Sequence, residues 1–184
     1  MPKRITQFTK DGVYHVYNHA VHDSKMMICP EDYFRIVSLF QYYSLRLEID
    51  IPVWCCMPNH FHLLVLQRGD VPVSRLLFSV CNAYTKSYNH QYARRGALFE
   101  GRFKDKPVAN QTYLEQLCLY IHSNPVQAGL CEQPEDWPWS NLDECLYSER
   151  RNPVFEGIFR NGDEYMKALR EYCHSKTLRD DNAA

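Results

Sequence analysis

The chain lacks any run of about 18 apolar residues, the length a membrane-spanning helix needs, so no spanning segment is expected among its 184 residues. The opening stretch MPKRITQFTKDG has no apolar core behind its basic residues, which excludes a secretory signal there and makes a cytoplasmic location the expectation. No Cys-x-x-Cys pair occurs among the eight cysteines, so a structural zinc site built from thiolates is not expected. There is no internal repeat and no low-complexity tract. A strong overall charge is missing as well: the net value is −1, which argues against a uniformly basic nucleic-acid binder.

What is present describes a folded protein with a local bias. Apolar residues make up 45% and charged residues 23%, the balance of a globular chain. The cysteines fall in a long chain without a signal, several in apolar runs such as Val53-Trp54-Cys55-Cys56-Met57, so they read as buried free thiols. Charge is distributed unevenly. Residues 1–131 carry 14 Lys and Arg against 10 Asp and Glu, a balance of +4, and residues 132–184 carry 7 against 12, a balance of −5. Within 86–106, Lys86, Arg94, Arg95, Arg102, Lys104 and Lys106 face only Glu100 and Asp105, a cationic stretch suited to phosphates or to a solvated loop.

Residues 12–18, after a Lys-Asp-Gly turn signal, read as a first strand. Pro30-Glu31-Asp32 opens a helix that Tyr33, Ile36, Val37 and Phe40 carry to about Glu48. Ile51 to Met57 and His60 to Leu66 read as two strands joined by Pro58-Asn59, a connection too short for anything but an antiparallel pair. A second helix runs from Val73 to about Tyr92. The segment 94–104, with two glycines, reads as loop or short strands. A third helix is predicted from Thr112 to about Ser123, ending near Asn124 because Pro125 disfavours the α conformation before it. One more helix is expected around Asp163 to Cys173, and the polar residues from Thr177 onward read as frayed. The fold class is α+β, an antiparallel sheet flanked by helices.

Three constellations could carry chemistry. On a strand, His60 and His62 face one side with Phe61 opposite, and two neutral imidazoles there can chelate a divalent cation. On the third helix, Tyr120 and Asn124 share a face four residues apart. A tyrosine can act as a nucleophile and Asn124 can offer an oxygen, but core packing and helix capping are the ordinary roles of such residues. Tyr113 lies on nearly the same face, and spacing does not choose between the two tyrosines. His122 projects roughly away from that face. The cationic stretch has Phe99, Phe103 and the series Tyr84, Tyr88, Tyr92 nearby; aromatic faces can stack unpaired bases, although packing on the sheet is the better reading of Tyr84 and Tyr88.

Taken in order, these segments resemble the REP-associated tyrosine transposases, a branch of the single-tyrosine HUH transposases. Met57-Pro58-Asn59-His60-Phe61-His62-Leu63-Leu64-Val65 resembles their HUH strand, and Gly96 to Lys104 the segment after their middle helix. Tyr120-Ile121-His122-Ser123-Asn124-Pro125-Val126-Gln127-Ala128-Gly129-Leu130 resembles their catalytic helix and its exit, and Trp137-Pro138-Trp139-Ser140 a downstream motif of that branch. The resemblance covers about residues 10–145 and implies a ferredoxin-like or RRM-like sheet, with a transposase domain over 1–145 and a C-terminal helical extension over 146–184. It implies His60 and His62 as metal ligands, Asn124 as a further ligand, Tyr120 rather than Tyr113 as the nucleophile, and Mg²⁺ or Mn²⁺ as the cofactor. The implied partners are single-stranded DNA hairpins and no membrane, with the protein a monomer or homodimer. Lys3, Arg4, Lys10, Arg94, Arg95, Arg102 and Lys104 are the candidates for DNA contact. The implied activity is cutting and joining of DNA near hairpin-forming repeats through a 5′-phosphotyrosine; the alternative is a regulatory module that binds hairpins without cutting.

Overall fold

The computed structural model describes residues 6–147 and 158–180, with side chains described as far as residue 175. Its contacts divide into two compact units. The first contains Met1–Ile51 and Cys56–Val108, the second Pro52–Cys55 and Ala109–Ala184.

The first unit is built on strands β1 (Val13–His19), β3 (His60–Gln67) and β4 (Lys104–Pro107) and both ends of β2 (Ile49–Met57), with helices α1 (Pro30–Leu47) and α2 (Val73–Gln91). The strand order is β2-β3-β1-β4. β1 is antiparallel to both of its neighbours, in a register that sets His19 opposite His60, Tyr17 opposite His62 and Lys104, and His15 opposite Lys106. This is the antiparallel sheet with flanking helices that the strand pattern predicts. β1 and β3 alternate as the period of two requires. Val16, Phe61, Leu63 and Val65 are wholly buried on one side, together with Ile36 of α1 and Leu77, Val80 and Tyr84 of α2. Phe40 meets Phe61 edge to face at 5.1 Å between ring centroids.

The tyrosines of α2 belong to this core. Tyr84 donates its hydroxyl to the Met26 carbonyl at 2.6 Å and Tyr88 to the Lys25 carbonyl at 3.0 Å, while Tyr92 donates to the Asp32 carboxylate at 2.7 Å. Each buried hydroxyl thus has an acceptor, as burial demands, and Tyr84 and Tyr88 are packed rather than presented to a base. Phe99 is buried too, bridged to Ala20. Gly96 and Gly101 stand at φ of +91° and +108°, so the segment between α2 and β4 turns where only glycine is unstrained.

The second unit contains α3 (Gln111–Gln127), α4 (Leu142–Tyr147) and α5 (Gly162–Asp180). Two expectations are corrected here. The third helix does not stop at Asn124: it runs through Pro125 to Gln127. Proline denies the helix one N–H and disfavours helical backbone before it, yet the turn is held by other bonds. The Ser123 hydroxyl and the Asn124 side-chain amide both donate to the Tyr120 carbonyl, at 3.0 and 2.7 Å. Backbone bonds resume past the proline, from Ala128 N–H to the Asn124 carbonyl and from Leu130 N–H to the Pro125 carbonyl, both at 2.9 Å. Gly129, at φ +66°, then ends the helix in the left-handed conformation usual after a C-cap. The second correction concerns α5, which continues through Thr177 to Asp180 rather than fraying at 177, since no glycine or proline interrupts it after Gly162. α4 is a short helix that the sequence pattern does not announce.

His122 is buried within this unit. Its Nδ1 lies 2.7 Å from the Tyr165 hydroxyl and its Nε2 3.2 Å from Asn141 Oδ1, and the Tyr165 hydroxyl donates to the Cys118 carbonyl at 3.0 Å. Asn141 in turn donates to the Pro52 carbonyl at 2.9 Å and accepts from the Trp54 N–H at 2.8 Å. Burial pushes His122 down to about 4, against the opposing effect of its bond to Asn141. Between pH 6.5, its ordinary value, and about 4, the unfolded chain binds a proton that the folded chain refuses. The folded state therefore keeps this stability above pH 6.5 and loses it as pH falls through that window, by up to about 1.4 kcal/mol per pH unit. Thermal melts at pH 7 and pH 5 should show a lower midpoint in acid. The drop should be smaller in His122→Gln, which cannot titrate; an equal drop in both would assign the acid lability to other groups.

Candidate functional site

The register of β1 and β3 gathers imidazoles on the face opposite Val16 and Phe61. His60 and His62 alternate on β3; Tyr17 and His19 stand opposite them on β1, with His15 one pair further along. His15 Nε2 lies 3.0 Å from His62 Nδ1 and is buried with it. The His15 and His62 rings stack at 5.1 Å, the His19 and His60 rings at 4.7 Å, and Tyr17 lies 5.4 Å from His62. His60 Nδ1 lies 2.7 Å from Asn59 Oδ1. An amide oxygen only accepts, so this bond places a proton on His60 Nδ1, and in the neutral ring the lone pair is then on Nε2. β4 adds Lys104 and Lys106 to the same face, the Lys104 ammonium 5.9 Å from the centre of the Tyr17 ring.

Burial holds His62 well below the usual imidazole range, with the neighbouring His60, His15 and His19 adding to the effect. Burial, and after it the Lys106 ammonium, pushes His15 down to about 4. Both rings are neutral at pH 7, the form that ligates metals. If the His62 Nδ1–H donates to His15 Nε2, His62 also presents its Nε2 lone pair, as His60 does. The donor chemistry of His60 and His62 therefore fits a divalent cation, with Asn59 and His15 in the outer positions that orient ligating histidines. Among the described residues no group of three or more His, Cys, Asp or Glu forms a complete site. Two imidazoles would need other oxygen donors to fill the coordination shell of Mg²⁺ or Mn²⁺.

Tyr120 and Asn124 lie on α3, both half-buried. The Asn124 amide nitrogen is bonded to the Tyr120 carbonyl, a bond that uses the NH₂ group and not Oδ1. Tyr113 is also half-buried, one turn from the Asn110 cap. Of the basic candidates, Lys10, Arg95, Arg102 and Lys104 are exposed, and Arg94 is half-buried with its guanidinium 5.8 Å from the Tyr88 ring centre. Lys3 and Arg4 lie outside the described residues. The sequence reading missed His15, Tyr17 and His19. Their signal is the alternation His15-x-Tyr17-x-His19 within the predicted first strand, which places all three on one face; which face, and opposite which histidines, depends on a register between distant segments.

Comparison with known proteins agrees with this architecture. Residues 11–124 match the family described as Transposase IS200 like, and the chain belongs to that family. Within it, the similarity is to the REP-associated tyrosine transposases. A protein of Haemophilus influenzae (strain ATCC 51907 / DSM 11121 / KW20 / Rd) named as one is 24% identical over 154 residues, covering 77% of this chain and 86% of the relative. The REP-associated tyrosine transposase of Escherichia coli (strain K12) is 28% identical over 94 residues, covering 50% and 54%. The solved structure of a REP-associated tyrosine transposase bound to a REP hairpin superposes with a TM-score of 0.68 at 19% identity, covering 84% of this chain and 90% of that one, and shares its fold. Among the described residues no helix is long and apolar enough to cross a membrane.

Proposed function

We propose that the chain is a metal-dependent endonuclease and strand transferase that acts on single-stranded DNA near hairpin-forming repeats. The observation that carries this reading is the pair of imidazoles on β3, each bonded through Nδ1 to a residue that can orient it, in a chain of a transposase family. His60 and His62 would hold Mg²⁺ or Mn²⁺, with Asn124 as a further oxygen donor. Bound there, the cation would stabilise the charge that develops on the scissile phosphate. The Tyr120 hydroxyl loses its proton and attacks phosphorus; the new Oη–P bond forms as the P–O3′ bond breaks, and the departing 3′ oxygen takes up a proton. The phosphodiester energy is kept in the 5′-phosphotyrosine, so a 3′-hydroxyl can reverse the step and join strands without a nucleotide cofactor. Lys10, Arg94, Arg95, Arg102 and Lys104, with Lys3 and Arg4, would neutralise phosphates along the strand.

The test uses hairpin oligonucleotides with single-stranded flanks, drawn from repeats near the chain's own gene and labelled at either end, incubated with Mn²⁺ or Mg²⁺. A metal-dependent covalent protein–DNA band supports the reading. Tight hairpin binding with no adduct in either metal replaces it with the regulatory binding module.

His15 gives a second, independent check. His15→Ala removes the 3.0 Å bond that holds the His62 ring through Nδ1. Loss of such an orienting partner weakens metal affinity about 10–100-fold. Manganese binding, followed by electron paramagnetic resonance, should weaken by that amount in the presence of hairpin DNA. Affinity for the hairpin without metal should stay unchanged. Unchanged manganese affinity would reduce His15 to a packing residue.

A further inference from the structure

The first unit contains a concave feature on the opposite side of the sheet from the histidines. A cavity of about 920 Å³ lies between α2 and the Gly101–Phe103 turn that leads into β4. Asn18 lines its base. By strand alternation Asn18 points away from Tyr17 and His19, so the cavity opens on the helix-covered side and not on the imidazole face.

One wall comes from α2. Leu76, Leu77 and Val80 turn inward and are wholly buried, which leaves Arg75, Phe78 and Asn82, spaced by three and four residues, on the outward stripe. Phe78 is 60% exposed, and the Arg75 guanidinium carbon lies 6.0 Å from its centre. Arg102 and Phe103 form the facing wall. Gly101, at φ +108°, has nothing within 4 Å of where a Cβ would be, so the turn leaves its side open. The Asn18 amide spends its NH₂ on the Gly101 carbonyl at 3.5 Å and its oxygen on the His19 N–H at 3.0 Å. It therefore braces the turn.

We propose that this cavity is a subsite for one unstacked nucleobase of single-stranded DNA, stacked on Phe78 with its phosphate beside Arg75 and Arg102. The site's chemistry selects this occupant. Its walls combine aromatic rings with two guanidinium groups against the single carboxylate of Asp70, which suits a flat, apolar-faced group that carries a negative charge. A base paired in a duplex already has its stacking partners, so only an unpaired one gains from Phe78. This proposal rests on the DNA reading above. Because the cavity lies on the other face of the sheet from His60 and His62, the base held there is not the one at the scissile phosphate.

The experiment measures fluorescence anisotropy of the full chain with two labelled DNA probes, a blunt-ended hairpin and the same hairpin with five unpaired nucleotides at each end. Phe78→Ala is expected to weaken binding of the flanked probe about 5- to 100-fold, the range for one base–aromatic stack, and to leave the blunt probe within about twofold. Phe78→Trp should restore the flanked probe. Arg75→Gln should weaken it and lower the slope of log affinity against log salt by about one. Equal losses on both probes, no loss on either, or tighter binding by Phe78→Ala would each overturn the proposal, the last by showing that another part of the chain fills the cavity. Adduct formation at saturating DNA is scored separately. An intact adduct with no Phe78 effect sinks this subsite alone, whereas no binding to either probe sinks the DNA reading with it.

Discussion

Tyr120→Phe is expected to abolish the covalent protein–DNA band while leaving hairpin affinity within about twofold. The substitution removes one oxygen and nothing else, and phenylalanine keeps the ring of a half-buried residue on α3. The Ser123 and Asn124 side-chain bonds that help carry α3 through Pro125 go to the Tyr120 carbonyl and not its hydroxyl, so the helix is expected to persist. Removing the nucleophile of a covalent mechanism costs on the order of a thousandfold or more, which for a gel-resolved adduct means none detected. Tyr113→Phe is the control. It lies seven residues earlier on nearly the same face, and the sequence alone does not separate the two. If Tyr113→Phe removes the adduct and Tyr120→Phe does not, the nucleophile has been misassigned although the reaction class stands.

His60→Ala and His62→Ala should each reduce adduct formation by more than about 100-fold, beyond the effect expected of an outer-sphere partner. The two variants should differ in stability. His60 is half-buried and bonded to a turn residue, whereas His62 is 4% exposed and bonded to His15 in the interior. Removing the buried ring takes a hydrogen-bond partner from buried His15, at about 1–3 kcal/mol. His60→Ala should therefore melt near the wild type and His62→Ala clearly below it. Raising the manganese concentration should recover part of the activity of His60→Ala, since a weakened site can be filled by mass action. Failure of both variants to alter the metal dependence would remove the imidazole pair from the reaction and leave it a buried polar cluster of the sheet.

Much of this molecule is decided locally and could be read from the chain. The alternation of His60 and His62 about Phe61, the two-residue Pro58-Asn59 connection and the apolar periodicity of α1 and α2 depend on spacing within a few residues. Those are the features that recur in the structure and carry the family likeness. The fate of the α2 tyrosines was legible for the same reason: Tyr84 and Tyr88 share the helix face of Leu77 and Val80, so burial follows from periodicity.

Other features needed the fold because their causes lie far away in the chain. His15 and His19 acquire their role only when β1 docks against β3 in one register; a slip of one residue would turn them to the opposite face. The neutrality of His15 and His62 comes from burial, which no short window reports. Local backbone sterics argued for a helix stop before Pro125, yet the side chains of Ser123 and Asn124 and the burial of Ile121, His122 and Pro125 carried the helix onward. Phe99 looks like a stacking platform in its basic, glycine-rich context and is buried, whereas Phe78, one apolar residue among many on an amphipathic helix, is left exposed beside Arg75. The sequence determined which side chains are available and which short-range geometry they share. Tertiary structure decided which of them are dry, neutral and opposite one another, because solvent exclusion and strand register are set by residues that meet only when the chain is folded.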